Sequence, residues 1–256
     1  EIHERLVGSE MCIRDRYKDV FDSAPIDDQR WYSINTDNIS EAWINALTDR
    51  EEQYFTDHEY IINASAYVGG KVYGYGKTRA GAGFFAMDPN TMMPIYTGVN
   101  PGRQVKAVAY DHATDTMYAI ARNDVIGEFN SLYRVNLPIG TLEEIASIQT
   151  SDEEGNAISI DTLSISQSGA AYGLSRGTTN RKPSLYRIDL ANGQCTLIGE
   201  TTMDYLPSMY VVTVYDYKNE LIITYDPYNG FGSIFPGTGE YVQNKKLWST
   251  YVSSLY

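Results

Sequence analysis

Histidine and cysteine are scarce, with three and two copies in 256 residues. Cys12 and Cys195 show none of the paired spacing used by zinc sites and disulfide frameworks. His3, His58 and His112 stand singly along the chain. No metal or other cofactor is expected, because a bound metal needs several such ligands brought together. Long apolar runs are missing too. The longest, 211–215 and 221–225, are the size of a β-strand, whereas a helix crossing a membrane needs about 20 residues. No membrane-spanning segment is expected. Positive charge is also in deficit: 20 Lys+Arg stand against 33 Asp+Glu, a net charge of -13. Long-range repulsion then opposes a polyphosphate, so nucleic acid is not an expected partner. Catalytic motifs are lacking as well. No Gly-x-Ser-x-Gly elbow is expected, and no Gly-rich phosphate loop that follows a strand and opens a helix. Cys195 lies within an apolar strand pattern, where a buried, inert thiol is the simplest reading.

What the chain does have is 22 Tyr and 21 Gly. Rings pack well on a pleated surface and Gly supplies the positive φ of tight turns, so this composition predicts an all-β fold.

A repeating unit of about 45 to 54 residues organises that fold. Its first landmark is a strand ending in Ala66-Tyr67, Ala109-Tyr110, Ser164-Ile165 and Val214-Tyr215. The second follows a short turn: 71–75, 116–120, 170–174 and 220–224, anchored at Tyr73, Tyr118, Tyr172 and Ile222. The third is a strand end of the form aromatic-x-apolar-Asp/Asn, at Phe85–Asp88, Tyr133–Asn136 and Tyr186–Asp189, with an orphan copy at Tyr32–Asn35. A turn and a fourth strand come next, as at Asn192-Gly193 before 195–199, where Asn-Gly is a strong hairpin signal. Four short strands per unit is the size of a propeller blade, and such small sheets must stack on neighbours to bury both faces. The predicted fold is therefore a β-propeller-like array. Four units are recognisable, at 61–104, 105–159, 160–210 and 211–256, after a partial one at 17–60. The fourth diverges, with Phe231–Pro236 in place of the third landmark. Residues 40–47 fit a strand or a capped helical turn, and the strand is favoured because the orphan landmark precedes them. Residues 1–16 have no strand or helix periodicity and are set aside as a non-native or disordered leader.

Residues 110–120, 132–136 and 185–199 resemble the repeats of bacterial secreted and cell-surface β-propeller proteins. That resemblance implies an extracellular binding protein of bacterial origin and brings no catalytic residues with it. Trp-Asp dipeptides of other propellers are absent, and Gly69-Gly70 occurs in one unit only, as a two-residue hairpin would.

Function in such folds sits on loops that the blades hold still. Loops joining strands two and three, and loops joining one unit to the next, open on one rim. The candidate ligand-binding residues there are Arg103, Asp124, Glu128, Arg176, Asp204, Tyr205, Asp226 and Tyr228. Arginine, carboxylate and tyrosine together suit a glycan or protein ligand, since sugars offer hydroxyls to charged groups and C–H faces to rings. Asp124, Glu128, Asp204 and Asp226 are also the carboxylates that a polysaccharide-cleaving enzyme, glycosidase or lyase, would draw on. A third reading is a structural spacer within a larger surface protein. The acidic stretch 151–156 lacks the alternating ligand pattern of a calcium loop and reads as solvated. Asp111–Asp115 and its counterpart Asp216–Glu220 occupy the same position in the repeat, so turn chemistry accounts for both.

Overall fold

In the computed structural model the described residues are 31–35, 40–45, 50–55, 60–69, 71–78, 81–87, 94–97, 100–122, 130–137, 139–151, 155, 157–176, 181–203, 211–226 and 230–245. Every regular element among them is a strand. A three-stranded sheet comes first among the described residues, made of β1 (Trp31–Asn35), β2 (Ser40–Asn45) and β3 (Arg50–Phe55). Four complete blades follow. Blade I is β4 (Tyr60–Val68), β5 (Lys71–Thr78), β6 (Gly81–Met87) and β7 (Pro94–Thr97). Blade II is β8 (Gln104–Asp111), β9 (Thr116–Arg122), β10 (Ser131–Asn136) and β11 (Thr141–Ser147). A two-stranded ribbon, β12 (Gln149–Ser151) and β13 (Ala157–Ser159), leads on from it. Blade III is β14 (Ser164–Ile165), β15 (Ala171–Leu174), β16 (Ser184–Ile188) and β17 (Cys195–Glu200). Blade IV is β18 (Val212–Asp216), β19 (Leu221–Asp226), β20 (Gly230–Ile234) and β21 (Tyr241–Lys245).

Each blade is a four-stranded antiparallel meander, and together the four form a β-propeller. The first strands are innermost: β4 packs on β8, β8 on β14, and β14 on β18. Residues of β4, β8 and β18, among them Ser65, Lys106 and Thr213, together with Thr162 just before β14, surround an axial space of about 20 Å³. That is room for about one water.

The core lies between blades, and the period-two alternation of the strands explains it. Along β9, Met117, Ala119 and Ala121 join a cluster with Ala64, Tyr75 and Phe84 of blade I. The residues between them, Tyr118 and Ile120, join a second cluster with Ile165, Tyr186 and Ile188 of blade III. A third cluster joins Leu174 and Leu185 to Tyr215, Ile222 and Ile234 of blade IV. Sheets covered on both faces read as near-continuous apolar runs, which is the pattern of β9 and β19.

All three landmarks fall where the repeat puts them, on the first, second and third strands of successive blades. Residues 40–45 form a strand, β2. The orphan landmark falls in β1, yet two strands follow it before blade I, where one follows it in blades I to III. Gly69 has φ +56° and joins Val68 to Lys71 in a two-residue hairpin. The Asn192-Gly193 hairpin is longer than a two-residue turn. Asp189 and Gln194 form its closing pair, the Gly193 N–H donates to the Asp189 carbonyl at 2.8 Å, and the Asn192 side chain accepts from the Gln194 N–H. Blade IV makes the same turn despite its divergent sequence: the Gly239 N–H donates to the Phe235 carbonyl at 2.8 Å, as Gly140 does to Asn136 in blade II. In the connection between blades II and III, expected to be a loop, Gln149–Ser151 and Ala157–Ser159 pair as the β12–β13 ribbon, and the acidic residues 152–154 lie outside the described residues. The leader, residues 1–16, and Cys12 lie outside the described residues.

Candidate functional site

Asp124, Glu128, Asp204, Tyr205 and Tyr228 lie outside the described residues. The other three candidates belong to different parts of the ring, and each is engaged with its own surroundings. Arg103, just before β8, holds its guanidinium 5.2 Å from the centre of the Tyr133 ring and 3.7 Å from Glu144. Its carbonyl accepts from the Tyr75 hydroxyl at 3.0 Å, which ties blade I to blade II. Arg176 donates from Nε to Asp161 Oδ2 at 2.8 Å. The other oxygen of Asp161 accepts from Asn130 Nδ2 at 2.9 Å and from the Ser159 hydroxyl at 3.0 Å. Asn130 is buried and also donates to the Ile160 carbonyl at 2.6 Å, so this network fixes the chain where it enters blade III. Asp226 ends β19 and is fully buried, which removes it from the exposed loop where the sequence reading put it.

Against the expectation of none, one Gly-x-Ser-x-Gly spacing occurs in the chain. Gly173-Leu174-Ser175-Arg176-Gly177 has the spacing of a nucleophile elbow. Ser175, however, lies between two antiparallel strands, is 3% exposed, and its hydroxyl accepts from the Ser184 N–H at 2.9 Å. An elbow exposes its serine on a strand-to-helix turn, so this serine is part of the blade and not a nucleophile.

The opposite rim carries the turns joining first and second strands, and those joining third and fourth. Buried carboxylates build two of them. Asp111 accepts from the Ala113 N–H and the Thr114 hydroxyl, and Asp216 accepts from the Lys218 and Asn219 N–H groups and the Asn219 amide. Asp115 and Glu220 close these turns in the left-handed region, at φ +57° and +55°. In blade III the same place is taken by Ser166, whose hydroxyl accepts from the Ala170 N–H, and by Gly169 at φ +81°.

These turns gather a row of rings. Tyr110 lies 5.0 Å from His112, His112 lies 5.2 Å from Tyr217, Tyr217 lies 5.6 Å from Tyr215, and Tyr215 stacks on Tyr172 at 6.1 Å. The row runs from blade II through blade IV to blade III. Tyr110 also donates to Asp115. Burial pushes the Tyr110 and Tyr215 hydroxyls up to about 12, with further upward contributions from Asp115 on Tyr110 and Tyr172 on Tyr215. Tyr110 and Tyr215 are thus neutral phenols at ordinary pH.

Beside this row an open groove of about 630 Å³ runs between blades III and IV. The β14–β15 turn supplies Ser166, Gln167 and Ser168. Tyr172, Tyr215 and Tyr217 supply rings, and Glu220 the one carboxylate among the described lining residues. Pro236 and Gly237 close it from the β20–β21 turn. Its volume falls within the usual range for a small-molecule site. The sequence reading missed it because its parts come from three turns of two blades. The signal that was available is the cluster of tyrosines at the ends of first strands and in the turns after them.

No family model and no curated protein matches this sequence. Among solved structures, the chain is similar to a protein of unknown function from Bacteroides thetaiotaomicron VPI-5482, at 14% identity and TM-score 0.51 over 84% of this chain and 49% of that one. It is also similar to a chain in a nidogen/laminin complex, at 11% identity and TM-score 0.53 over 85% of this chain and 79% of that one. The chain therefore spans about half the length of the Bacteroides protein. At these identities the likeness shows the fold.

Proposed function

We propose that this chain is an extracellular binding module of a bacterial protein, which holds a glycan or protein ligand on one rim of its propeller. The observation that carries this reading is the groove between blades III and IV, where rings, hydroxyls, an amide and one carboxylate face a common space of about 630 Å³. Its walls are turns pinned by buried Asp216 and Ser166, so the groove is preformed, which lowers the ordering cost of binding. Glycoside hydrolysis by the usual route needs a pair of carboxylates flanking the bond, and the groove supplies Glu220 alone among its described lining residues. The likeness to secreted and cell-surface propeller repeats supports the extracellular setting.

The test is a glycan array together with a panel of extracellular protein ligands, applied to the full chain and to Gly237→Tyr. Gly237 has no positive φ, and a Cβ there meets nothing within 4 Å, so a tyrosine enters the groove without straining the turn. The expected result is a ligand that the wild type binds and Gly237→Tyr loses, with unchanged thermal stability. Absence of any binder above background, or release of a cleaved product from a bound polysaccharide, overturns the reading.

A further inference from the structure

We infer that the groove is selective for a neutral saccharide, with Tyr217 as its stacking platform and the 166–168 turn as its hydrogen-bonding side; this rests on the binding reading above. Three observations carry it.

The first is which ring is available. Tyr172 has the Arg187 guanidinium 5.1 Å from its ring centre, receives a hydrogen bond from Arg187 on its hydroxyl at 3.1 Å, and stacks on Tyr215 nearly parallel, at 17°. Tyr215 is buried. Tyr217 is 40% exposed and belongs to the same groove. Its flanking contacts, Tyr215 at 47° and His112 at 86°, hold it in place. A ring fixed by neighbours but open to solvent suits the C–H face of a pyranose, because little rotamer freedom is lost on binding.

The second is the chemistry of the facing turn. Ser166 and Ser168 hydroxyls lie 3.0 Å apart and share a hydrogen bond, and Gln167 and Ser168 are exposed. Hydroxyls and a primary amide each donate and accept. That matches the mixed demands of sugar hydroxyls, which an array of like charges does not.

The third is charge. No lysine or arginine is among the described lining residues, and Glu220 is. Arg187 is committed to Tyr172, and Lys218, in the same turn as Tyr217, is not among the lining residues. With a net charge of -13 on the chain, an acidic glycan is disfavoured both locally and at long range. Glu220 suits a neutral sugar as a hydrogen-bond acceptor.

The experiment is calorimetry of the full chain against neutral hexasaccharides (cello-, xylo-, manno- and malto-series), oligogalacturonate and a lysine-rich peptide. Each is measured with wild type, Tyr217→Ala, Tyr217→Phe, Glu220→Gln and Gly237→Tyr. A neutral hexasaccharide is expected to bind, with affinity falling about tenfold or more in Tyr217→Ala and changing by less than about threefold in Tyr217→Phe, since the stacking face is kept. Glu220→Gln keeps an acceptor oxygen and is expected to weaken a neutral sugar by less than about tenfold, whereas it would abolish binding of a lysine-rich peptide. Gly237→Tyr is expected to abolish binding. If Tyr217→Ala lowers stability, Tyr217→Phe and Gly237→Tyr still decide the matter. Oligogalacturonate or peptide binding that Gly237→Tyr blocks overturns the saccharide assignment and leaves the binding reading intact. No binder in any class overturns both.

Discussion

Gly193 of blade III lies against Ala146 of blade II so closely that a Cβ on the glycine would meet the alanine methyl at 2.9 Å. The contact recurs around the ring: the corresponding glycines at 140 and 239 press on Phe84 of blade I and Gly199 of blade III. The turn after each third strand thus reaches the preceding blade, and a side chain there would hold the blades apart. Gly193 also has φ +73°. Gly193→Ala combines left-handed strain with a clash against a packed neighbour and is expected to cost about 2–4 kcal/mol. Gly237→Ala is the matched control in a turn of the same type, with open space and no positive φ. Urea denaturation of the two variants should separate them clearly.

The carboxylate of Asp216 is predicted to be worth more to stability than its place in a surface turn implies. It is 8% exposed and accepts from two backbone N–H groups and the Asn219 amide. Asp216→Ala leaves those donors without their acceptor and should cost about 1–3 kcal/mol. The same turn carries Tyr217 and Glu220, so ligand affinity should fall along with the melting temperature.

Repetition is what made the fold readable. A landmark met once says little, but Tyr118 and Tyr172 in equivalent places, and Asp111 and Asp216 opening equivalent turns, mark strand and turn without any knowledge of their contacts. Blade IV shows how far this reaches: its third strand lost the landmark, yet Gly239 alone preserves the turn. Features outside the repeat were not legible. The β12–β13 ribbon has three residues in each strand, so its alternation is too brief to see. Arg176 reads as a free rim charge until Asp161, fifteen positions earlier, is found beside it. Asp226 reads as a loop acid because nothing local marks it as buried. The groove is a property of two blades meeting, and no single segment contains it.

The network around Asp161 separates a structural role from a ligand-binding one. Asn130 is 2% exposed and supplies three of its hydrogen bonds, whereas the Arg176 side chain is 37% exposed and its ion pair is accordingly screened by solvent. Asn130→Ala is expected to destabilise by about 1–3 kcal/mol and Arg176→Ala by less than about 1 kcal/mol. A larger loss for Arg176→Ala than for Asn130→Ala in thermal melts would show that the ion pair, and not the buried amide, anchors the entry to blade III.

Alkaline stability should depend on Tyr215. Its folded pKa is pushed up to about 12 from an ordinary value of 10.0, with desolvation by burial the leading cause. The phenol therefore contributes stability in full below about pH 10, and that contribution disappears as pH rises toward 12, because the unfolded chain releases its proton first. Tyr215→Phe cannot ionise. Its stability relative to wild type should rise between pH 9 and pH 11 in guanidinium titrations, and a constant difference across that interval would mean that the hydroxyl is not desolvated.

Cys195 offers a probe of the outer strand of blade III. The thiol starts β17, is partly buried, and burial pushes its pKa up to about 11. At pH 8 about one thiol in a thousand is then ionised in the folded chain, against roughly a quarter in an unfolded chain with the reference value near 8.5. Since the thiolate is the reacting species, Ellman's reagent should label Cys195 in a Cys12→Ser background at least about a hundredfold more slowly under native conditions than in 6 M guanidinium. Denaturant-dependent labelling below the global unfolding transition would then report local opening of β17 from β16, and its free energy would measure how firmly the outermost strand is held.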